Sequence, residues 1–173
     1  MGEPSIVVTE YDRAWPRLFD VLRGRVLDAL GEELAVAVEH VGSTSVPGLA
    51  AKPVVDIDAV VPSAEHVPLA VERLERAGYR HEGDLGTSGR EAFEPPAGAP
   101  WHHLYVLPAD SEELRRHLAF RDHLRAHPEA ATAYADLKRE AARRVGDDRR
   151  AYTEAKDNFV ERVLAQRPDR RVS

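Results

Sequence analysis

The chain has 173 residues, of which 43% are hydrophobic and 31% charged, and its formal net charge at pH 7 is −6. This length fits one domain with a sizeable core, and the acidic balance argues against nucleic acid as the main partner. The absence of cysteine excludes disulfides and thiolate metal sites. No apolar run is long enough to cross a membrane, and no secretory leader precedes the first helix, so we expect a cytoplasmic protein.

The first 110 residues alternate between helical and extended patterns. Apolar residues at helical spacing predict a first helix, in which Gly24 is a weak point. In chain order the patterns predict a helix that stops at Gly31, strands over 36–41 and 54–61, a helix over 63–77 capped by Ser63, and a meander of short strands over 79–107. Pro68, near the start of the second helix, is expected to delay or kink it.

The most informative stretch joins the first two predicted strands. Gly42 and Ser43 open a turn rich in hydroxyl groups, and Asp56 and Asp58 follow on the next strand. Alternate side chains on a strand share a face, so we expect the two carboxylates to project together, about 6–7 Å apart. Such a pair suits Mg²⁺, and the turn suits phosphate. The alternative is that both carboxylates face solvent, where their repulsion is screened.

The last strand of the meander carries a second group of candidate residues. On it His103 and Tyr105 share one face, and Leu104 and Val106 share the other. The two aliphatic residues mark the core, so we expect His103 and Tyr105 to face the site. In that position His103 could accept a proton or bind phosphate.

The remaining chain is predicted to form three helices, over 111–126, 129–145 and from about 149 to 166. Lys138 and Lys156 lie on or beside the apolar stripes of the second and third of these helices. A lysine on an inward face must reach solvent, pair with an acid or meet an anionic ligand, and here a structural salt bridge and a ligand contact remain open.

Gly-Ser followed by Asp-x-Asp on the next strand resembles the nucleotidyltransferase (polymerase β-like) superfamily. The string EHVGSTSVPGLAAKPVVDID, which ends at Asp58, resembles the GrpB family in particular, as do the segments 102–104, 117–122 and 152–156. The resemblance covers nearly the whole chain. It implies an α+β fold within a single domain over 1–173: a nucleotidyltransferase-like core over 1–110 with a mixed sheet and flanking helices, and a C-terminal helical bundle over 111–166 beside a cleft.

The resemblance also implies a function, namely Mg²⁺-dependent binding of a nucleotide or another phosphorylated small molecule, with transfer to a small-molecule or protein acceptor. The resemblance and the residue patterns together predict a site with Asp56 and Asp58 as metal ligands and catalytic residues and His103 as a further catalytic residue. Its predicted phosphate-binding residues are Gly42, Ser43, Thr44, Lys52, Arg90, Lys138 and Lys156.

One departure from the superfamily pattern limits this expectation. The superfamily usually supplies a third carboxylate on a later strand, where this chain offers His103 and Tyr105, so one Mg²⁺ carried by the nucleotide is expected rather than a two-metal site. The rival prediction is a non-catalytic accessory module with a protein partner, because GrpB-like domains occur fused to dephospho-CoA kinase.

Overall fold

The structure is a computed structural model that describes residues 5–146 and 148–166. Its elements, in chain order, are α1 (Trp15–Leu30), β1 (Ala37–Val41), a 3₁₀ helix (Ser43–Ser45), β2 (Val55–Val61), a second 3₁₀ helix (Ala64–His66), α2 (Val67–Arg76), β3 (Arg80–Gly83), β4 (Glu91–Glu94), β5 (His102–Pro108), α3 (Glu112–Ala126), α4 (Pro128–Val145) and α5 (Arg149–Ala165). The predicted α+β class, with a mixed sheet and flanking helices, is confirmed.

The sheet has the strand order β1-β2-β5-β4-β3. Strands β2 and β5 run parallel, and the other neighbouring strands run antiparallel. In the parallel pair Asp56 lies opposite His103, and Asp58 lies opposite Tyr105. This register places all four side chains on one face of the sheet, as the alternation of side chains predicted.

The other face of the sheet forms the main core. Helices α1 and α2 pack against it through aliphatic side chains, and the fully buried members include Leu22, Leu30, Ile57, Leu74 and Leu104. Full burial of one such side chain stabilises the fold by about 1.5–3 kcal/mol. Because α1 and α2 cover this face, the Asp56 face is left to α3, α4 and α5.

The start of α2 differs from the prediction. The sequence pattern placed the helix over 63–77 with Ser63 as its cap, but α2 begins at Val67 after a short 3₁₀ helix. The Ser63 hydroxyl contacts Nδ1 of His66 at 2.9 Å and caps no backbone N–H. Pro68 explains the delay, since proline fits only the first turn of an α-helix.

The C-terminal helices build a second, smaller core against the chain that follows the first 3₁₀ helix. Val46, Leu49 and Ala50 pack there against Leu124 of α3 and Tyr134 of α4. Among the described helices, none is at once long enough and apolar enough to traverse a bilayer.

Replacing Gly24 with alanine is expected to stabilise the fold. Gly24 lies in the middle of α1 on its exposed side, and an added Cβ would meet nothing within 4 Å. Since glycine in a helix interior costs about 0.5–1 kcal/mol relative to alanine, Gly24→Ala should raise the free energy of unfolding by that amount in urea titrations. A lower stability of the variant would contradict the placement of Gly24 in an open helical position.

Candidate functional site

The turn after β1 contacts the carboxylate of Asp56. Gly42 has a φ of 70° and a ψ of −173°, a backbone conformation that residues with a side chain rarely adopt. A Cβ on Gly42 would lie 2.3 Å from Oδ2 of Asp56. Glycine is therefore required twice, by the backbone conformation and by the close approach of the carboxylate. The structure thus brings the predicted turn and the predicted acid into direct contact.

A buried contact between His40 of β1 and Thr44 of the turn holds the turn on its core side. Nε2 of His40 lies 2.9 Å from the hydroxyl of Thr44, and the His40 ring stacks on Phe19 at a centroid distance of 4.6 Å. Burial lowers the pKa of His40 to about 4, so the ring is neutral at pH 7. A neutral imidazole supports the turn without adding charge beside the phosphate-binding candidates.

Helix α3 holds the same turn from outside. Arg125 donates from Nε and Nη2 to the carbonyl oxygen of Ser45 at 3.0 and 2.8 Å. Arg121 donates from Nη1 to the carbonyl oxygen of His40 at 3.1 Å and to the carboxylate of Glu39 at 2.8 Å. The conformation of the turn is thus fixed by contacts with two separate elements.

Asp56 is hydrogen-bonded to His103 across the parallel strands. Nδ1 of His103 lies 2.7 Å from Oδ1 of Asp56. Burial alone would raise the pKa of Asp56, but the His103 hydrogen bond, together with the charges of Lys156 and Lys52, lowers it below its ordinary value. Asp56 is therefore ionised at neutral pH, and His103 donates to it from Nδ1.

Asp58 is fully buried and pairs with a histidine of α3. Nδ1 of His117 lies 2.6 Å from Oδ2 of Asp58, and Nε2 of His117 lies 3.0 Å from the carboxylate of Glu113. Burial would lower the pKa of His117, but the hydrogen bonds to Asp58 and Glu113 outweigh it and raise the pKa to about 10. Burial raises the pKa of Asp58 against the effect of this bond. His117 is thus an imidazolium held between two carboxyl groups.

Two adjoining cavities lie on the Asp56 face. The first, which we call the turn cavity, has a volume of about 230 Å³ and reaches Gly42, Ser43, Glu113, Arg116 and His117. The second, which we call the sheet cavity, has a volume of about 790 Å³ and extends over β3, β4 and β5. The residues that line both are Asp56, Arg90, Tyr105 and Lys156.

The predicted phosphate-binding residues separate into two groups in the structure. Those that line a cavity are Gly42, Ser43, Lys52, Arg90 and Lys156. Arg90 is held there with its guanidinium 4.4 Å from the centre of the Tyr105 ring. These residues could contact a phosphate without any rearrangement of the chain.

Thr44 and Lys138 differ from the prediction, because both lie beneath the cavities. Thr44 is 1% exposed, and His40 engages its hydroxyl. Lys138 is also 1% exposed and donates to the carbonyl oxygen of Ala50 at 2.6 Å. Its ammonium group lies 4.7 Å from the centre of the Tyr134 ring. Lys138 therefore holds the segment at Ala50 from inside the fold and does not line either cavity.

The carboxylates beside the cavities suit one Mg²⁺ better than two. Within residues 5–146 and 148–166, no group of three or more His, Cys, Asp or Glu side chains is arranged to hold a metal ion. Asp56 lines both cavities and can offer a carboxylate oxygen, whereas Asp58 is fully buried and bonded to His117. The residues fit one ion delivered with a polyphosphate at Asp56, and they do not fit a resident two-ion cluster.

Sequence reasoning missed the contribution of α3 to the site. Glu113 and His117 are four residues apart, a spacing that puts both on one helix face. That spacing was a usable signal for a Glu–His pair. Nothing local indicated that this face would meet Asp58, which lies 59 residues earlier in the chain.

Comparisons with known proteins agree with this architecture. The family model described as "GrpB protein" matches residues 5–166. The chain belongs to the GrpB family. It is 36% identical to the UPF0157 protein YqkA of Bacillus subtilis (strain 168) over 156 residues, covering 90% of this chain and 45% of YqkA. It therefore spans less than half of that relative.

Solved structures extend the comparison from sequence to fold. The crystal structure of GrpB from Enterococcus faecalis matches with a TM-score of 0.76 and 35% identity, covering 91% of this chain and 99% of that chain. The Cid1 poly(U) polymerase bound to MgGTP matches with a TM-score of 0.54 and 13% identity, covering 79% of this chain and 45% of the Cid1 chain. The second likeness shows a shared nucleotidyltransferase-like fold.

A further relative is a dephospho-CoA kinase of Mycolicibacterium paratuberculosis. The match is 32% identical over 174 residues and covers 84% of this chain but 42% of the kinase. The similarity is therefore confined to part of that longer protein.

Replacing Gly42 with alanine is expected to destabilise the fold strongly. The variant adds backbone strain of about 1–3 kcal/mol and a clash with Asp56. Gly48→Ala is the matched control, because Gly48 has a φ of 81° but an added Cβ would meet nothing within 4 Å. In urea titrations Gly42→Ala should cost at least about 1 kcal/mol more than Gly48→Ala, since crowding of a packed site adds to the strain. Equal losses would show that Asp56 does not restrict the turn.

Replacing Lys138 with methionine should change how the stability of the fold depends on pH. Burial, with a smaller effect of nearby Lys156, lowers the pKa of Lys138 from 10.5 to about 7. Between these values the unfolded chain holds a proton that the folded protein has released. The stability of the wild type relative to Lys138→Met should therefore rise from pH 7 to pH 10.5, by up to about 1.4 kcal/mol per pH unit. A pH-independent difference in urea titrations would contradict this pKa.

Proposed function

We propose that the chain binds a nucleoside triphosphate together with Mg²⁺ and transfers its nucleotidyl group to an acceptor hydroxyl. The observation that carries the proposal is the direct approach of the Gly42 turn to Asp56 in the wall of the turn cavity. An anion-binding turn beside a carboxylate suits a polyphosphate that carries its own cation. The nucleotidyltransferase-like fold shared with Cid1 supports the same conclusion.

The turn cavity supplies complementary charge for the polyphosphate. Backbone N–H groups of the turn at Gly42 and Ser43, and the side chains of Arg90, Arg116 and Lys156, surround the position proposed for the phosphates. Asp56 would hold the Mg²⁺, and the ion, when bound, would neutralise phosphate charge and orient the α-phosphate for in-line attack. Because the carboxylate of Asp58 is buried, we propose that Asp58 contacts no ligand and instead positions β2 through its bond to His117.

The transfer step requires a base for the acceptor proton. The acceptor oxygen forms a bond to the α-phosphorus while the bond to the bridging oxygen breaks, and pyrophosphate leaves with that electron pair. His103 donates from Nδ1 to Asp56, so Nε2 is its basic nitrogen. We assign the acceptor proton to Nε2 of His103, with Asp56 stabilising the imidazolium that results.

The second candidate function is a non-catalytic accessory module that binds a phosphorylated ligand. Two observations favour it: Asp58 is engaged by His117 inside the fold, and the chain resembles only part of a dephospho-CoA kinase. In this role the cleft would bind its ligand without using an acid–base pair.

Asp56→Asn tests the choice between these functions. We expect the wild type to bind a non-hydrolysable nucleoside triphosphate in calorimetry only when Mg²⁺ is present. Asp56→Asn should weaken this binding at least about tenfold, because a contact with a charged group is worth about 1.5–3 kcal/mol. Asp28→Asn, on the exposed side of α1, is the matched control and should bind like the wild type.

Two results would decide against transfer. Binding that neither Mg²⁺ nor Asp56→Asn alters would contradict the proposed role of Asp56 and favour the accessory module. A complete absence of triphosphate binding would reject a nucleoside triphosphate as the ligand of this chain.

A further inference from the structure

One carboxylate of the turn cavity is already bound to cationic groups of that cavity. Nε2 of His117 lies 3.0 Å from Oε1 of Glu113, and Nε of Arg116 lies 3.6 Å from Oε2 of Glu113. All three side chains line the turn cavity. The carboxylate of Glu113 therefore lies where these donors would otherwise meet a phosphate.

The charges around Glu113 keep it ionised. The hydrogen bond from His117 lowers the pKa of Glu113 against the opposing effect of burial, and the charges of Arg116 and Arg90 lower it further. Arg90 and Arg116 are also among the residues proposed to surround the phosphates. Glu113 thus places a negative charge among the groups that are proposed to attract an anion.

Of the two carboxyl groups that hold His117, Glu113 is the one that can move aside. Asp58 is 0% exposed and contacts Nδ1 of His117 at 2.6 Å, whereas the side chain of Glu113 is 22% exposed. The bond to Asp58 holds the His117 ring in place, with Nε2 directed to Glu113. An incoming anion can therefore exchange with Glu113 at Nε2 while the ring keeps its position.

The size of the turn cavity agrees with an internal occupant. At about 230 Å³ it falls below the range of small-molecule sites, which is about 300–1,000 Å³. Rotation of the Glu113 side chain away from His117 would enlarge it on the side of α3. Asp56 and Asp157 also line the cavity, so an anion without a cation meets like charges there even after this exchange.

We propose that Glu113 occupies the phosphate position of the turn cavity and restricts it to a polyphosphate that carries a cation. A phosphate oxygen replaces Glu113 as the acceptor of Nε2 of His117, and the displaced carboxylate remains beside the ligand. A polyphosphate with bound Mg²⁺ has less negative charge for this carboxylate to repel than a free polyphosphate has. The selectivity rests on the proposed function, whereas the exchange at His117 rests on the contacts of Glu113.

The test compares Glu113→Gln with the wild type in calorimetry. The probe is inorganic tripolyphosphate, titrated either with EDTA or with saturating Mg²⁺. Glutamine keeps an acceptor for Nε2 but is neutral, and charge-assisted hydrogen bonds are about twice as strong as neutral ones, so an anion displaces it more easily. Without Mg²⁺ the affinity of the variant for tripolyphosphate should exceed that of the wild type about fivefold or more, and with Mg²⁺ the gain should be smaller.

Glu112→Gln is the matched control. Glu112 is the preceding residue of α3, is exposed and does not line the turn cavity, so this variant removes the same charge from the same turn of the helix. Its affinities should stay within about twofold of the wild type, because solvent screens an exposed charge. Circular dichroism confirms that each variant is folded.

A crystal structure of the wild type with tripolyphosphate tests the exchange without any variant. A phosphate oxygen should lie within hydrogen-bond distance of Nε2 of His117, with the carboxylate of Glu113 turned away from it. Phosphate bound in the turn cavity while the bond between Glu113 and His117 persists would overturn the exchange.

The outcomes in calorimetry separate this inference from the proposed function. Mg²⁺-dependent binding of the nucleoside triphosphate, with no gain in Glu113→Gln, overturns the inference and leaves the proposed function intact. A gain for tripolyphosphate in Glu113→Gln, in a chain that binds no nucleoside triphosphate, supports the exchange and rejects the nucleotide. An equal gain in Glu112→Gln overturns the exchange, and an equal gain with and without Mg²⁺ overturns the selectivity. No tripolyphosphate binding by any of the three proteins overturns the phosphate position itself.

Discussion

The site depends on the absence of one side chain at Gly42. Because nothing projects from this residue, the backbone of the turn can lie against the carboxylate of Asp56 and bring its amide groups to the same cavity. The neighbouring contacts serve this approach: His40 and Thr44 fix the turn from the core, and Arg125 fixes it from α3. Backbone N–H groups favour an anion, whereas a carboxylate favours a cation. Here a ligand that carries both phosphate and cation would be complementary to both.

Both acids on this face of the sheet are held by histidine. Each carboxylate of the Asp-x-Asp pair has its own imidazole partner, His103 from the neighbouring strand and His117 from α3. Only the His117 partner is an imidazolium, because its bonds to Asp58 and Glu113 raise its pKa to about 10. This explains how Asp58 can be fully buried at a tolerable electrostatic cost.

Local sequence patterns predicted much of the fold and the floor of the site. The alternation along β2 and β5 was sufficient to put Asp56 with Asp58 and His103 with Tyr105 on the site face, because strand periodicity fixes the face of each residue. The pairing that sets Asp56 beside His103 is a long-range contact that alternation does not predict. The start of α2 was misplaced because Pro68 overrode the capping signal of Ser63. The depth of Thr44 and Lys138, and the pairing of Asp58 with His117, depend on how α3 and α4 pack on the sheet. That packing joins residues distant in the chain, and no local pattern encodes it.

Helix α3 has a consequence for how this protein can be divided. Its Arg125 holds the turn, its Arg121 holds the end of β1, and its His117 holds the strand that carries the acids. One helix therefore contacts both the turn after β1 and the strand that carries the acids, in addition to the pairing of those strands within the sheet. An excised fragment that ended before α3 would keep the strands but lose the bonds that this helix makes to the turn and to Asp58. Because α3 also lines the turn cavity through Glu113, Arg116 and His117, the helical half and the sheet form the candidate site together.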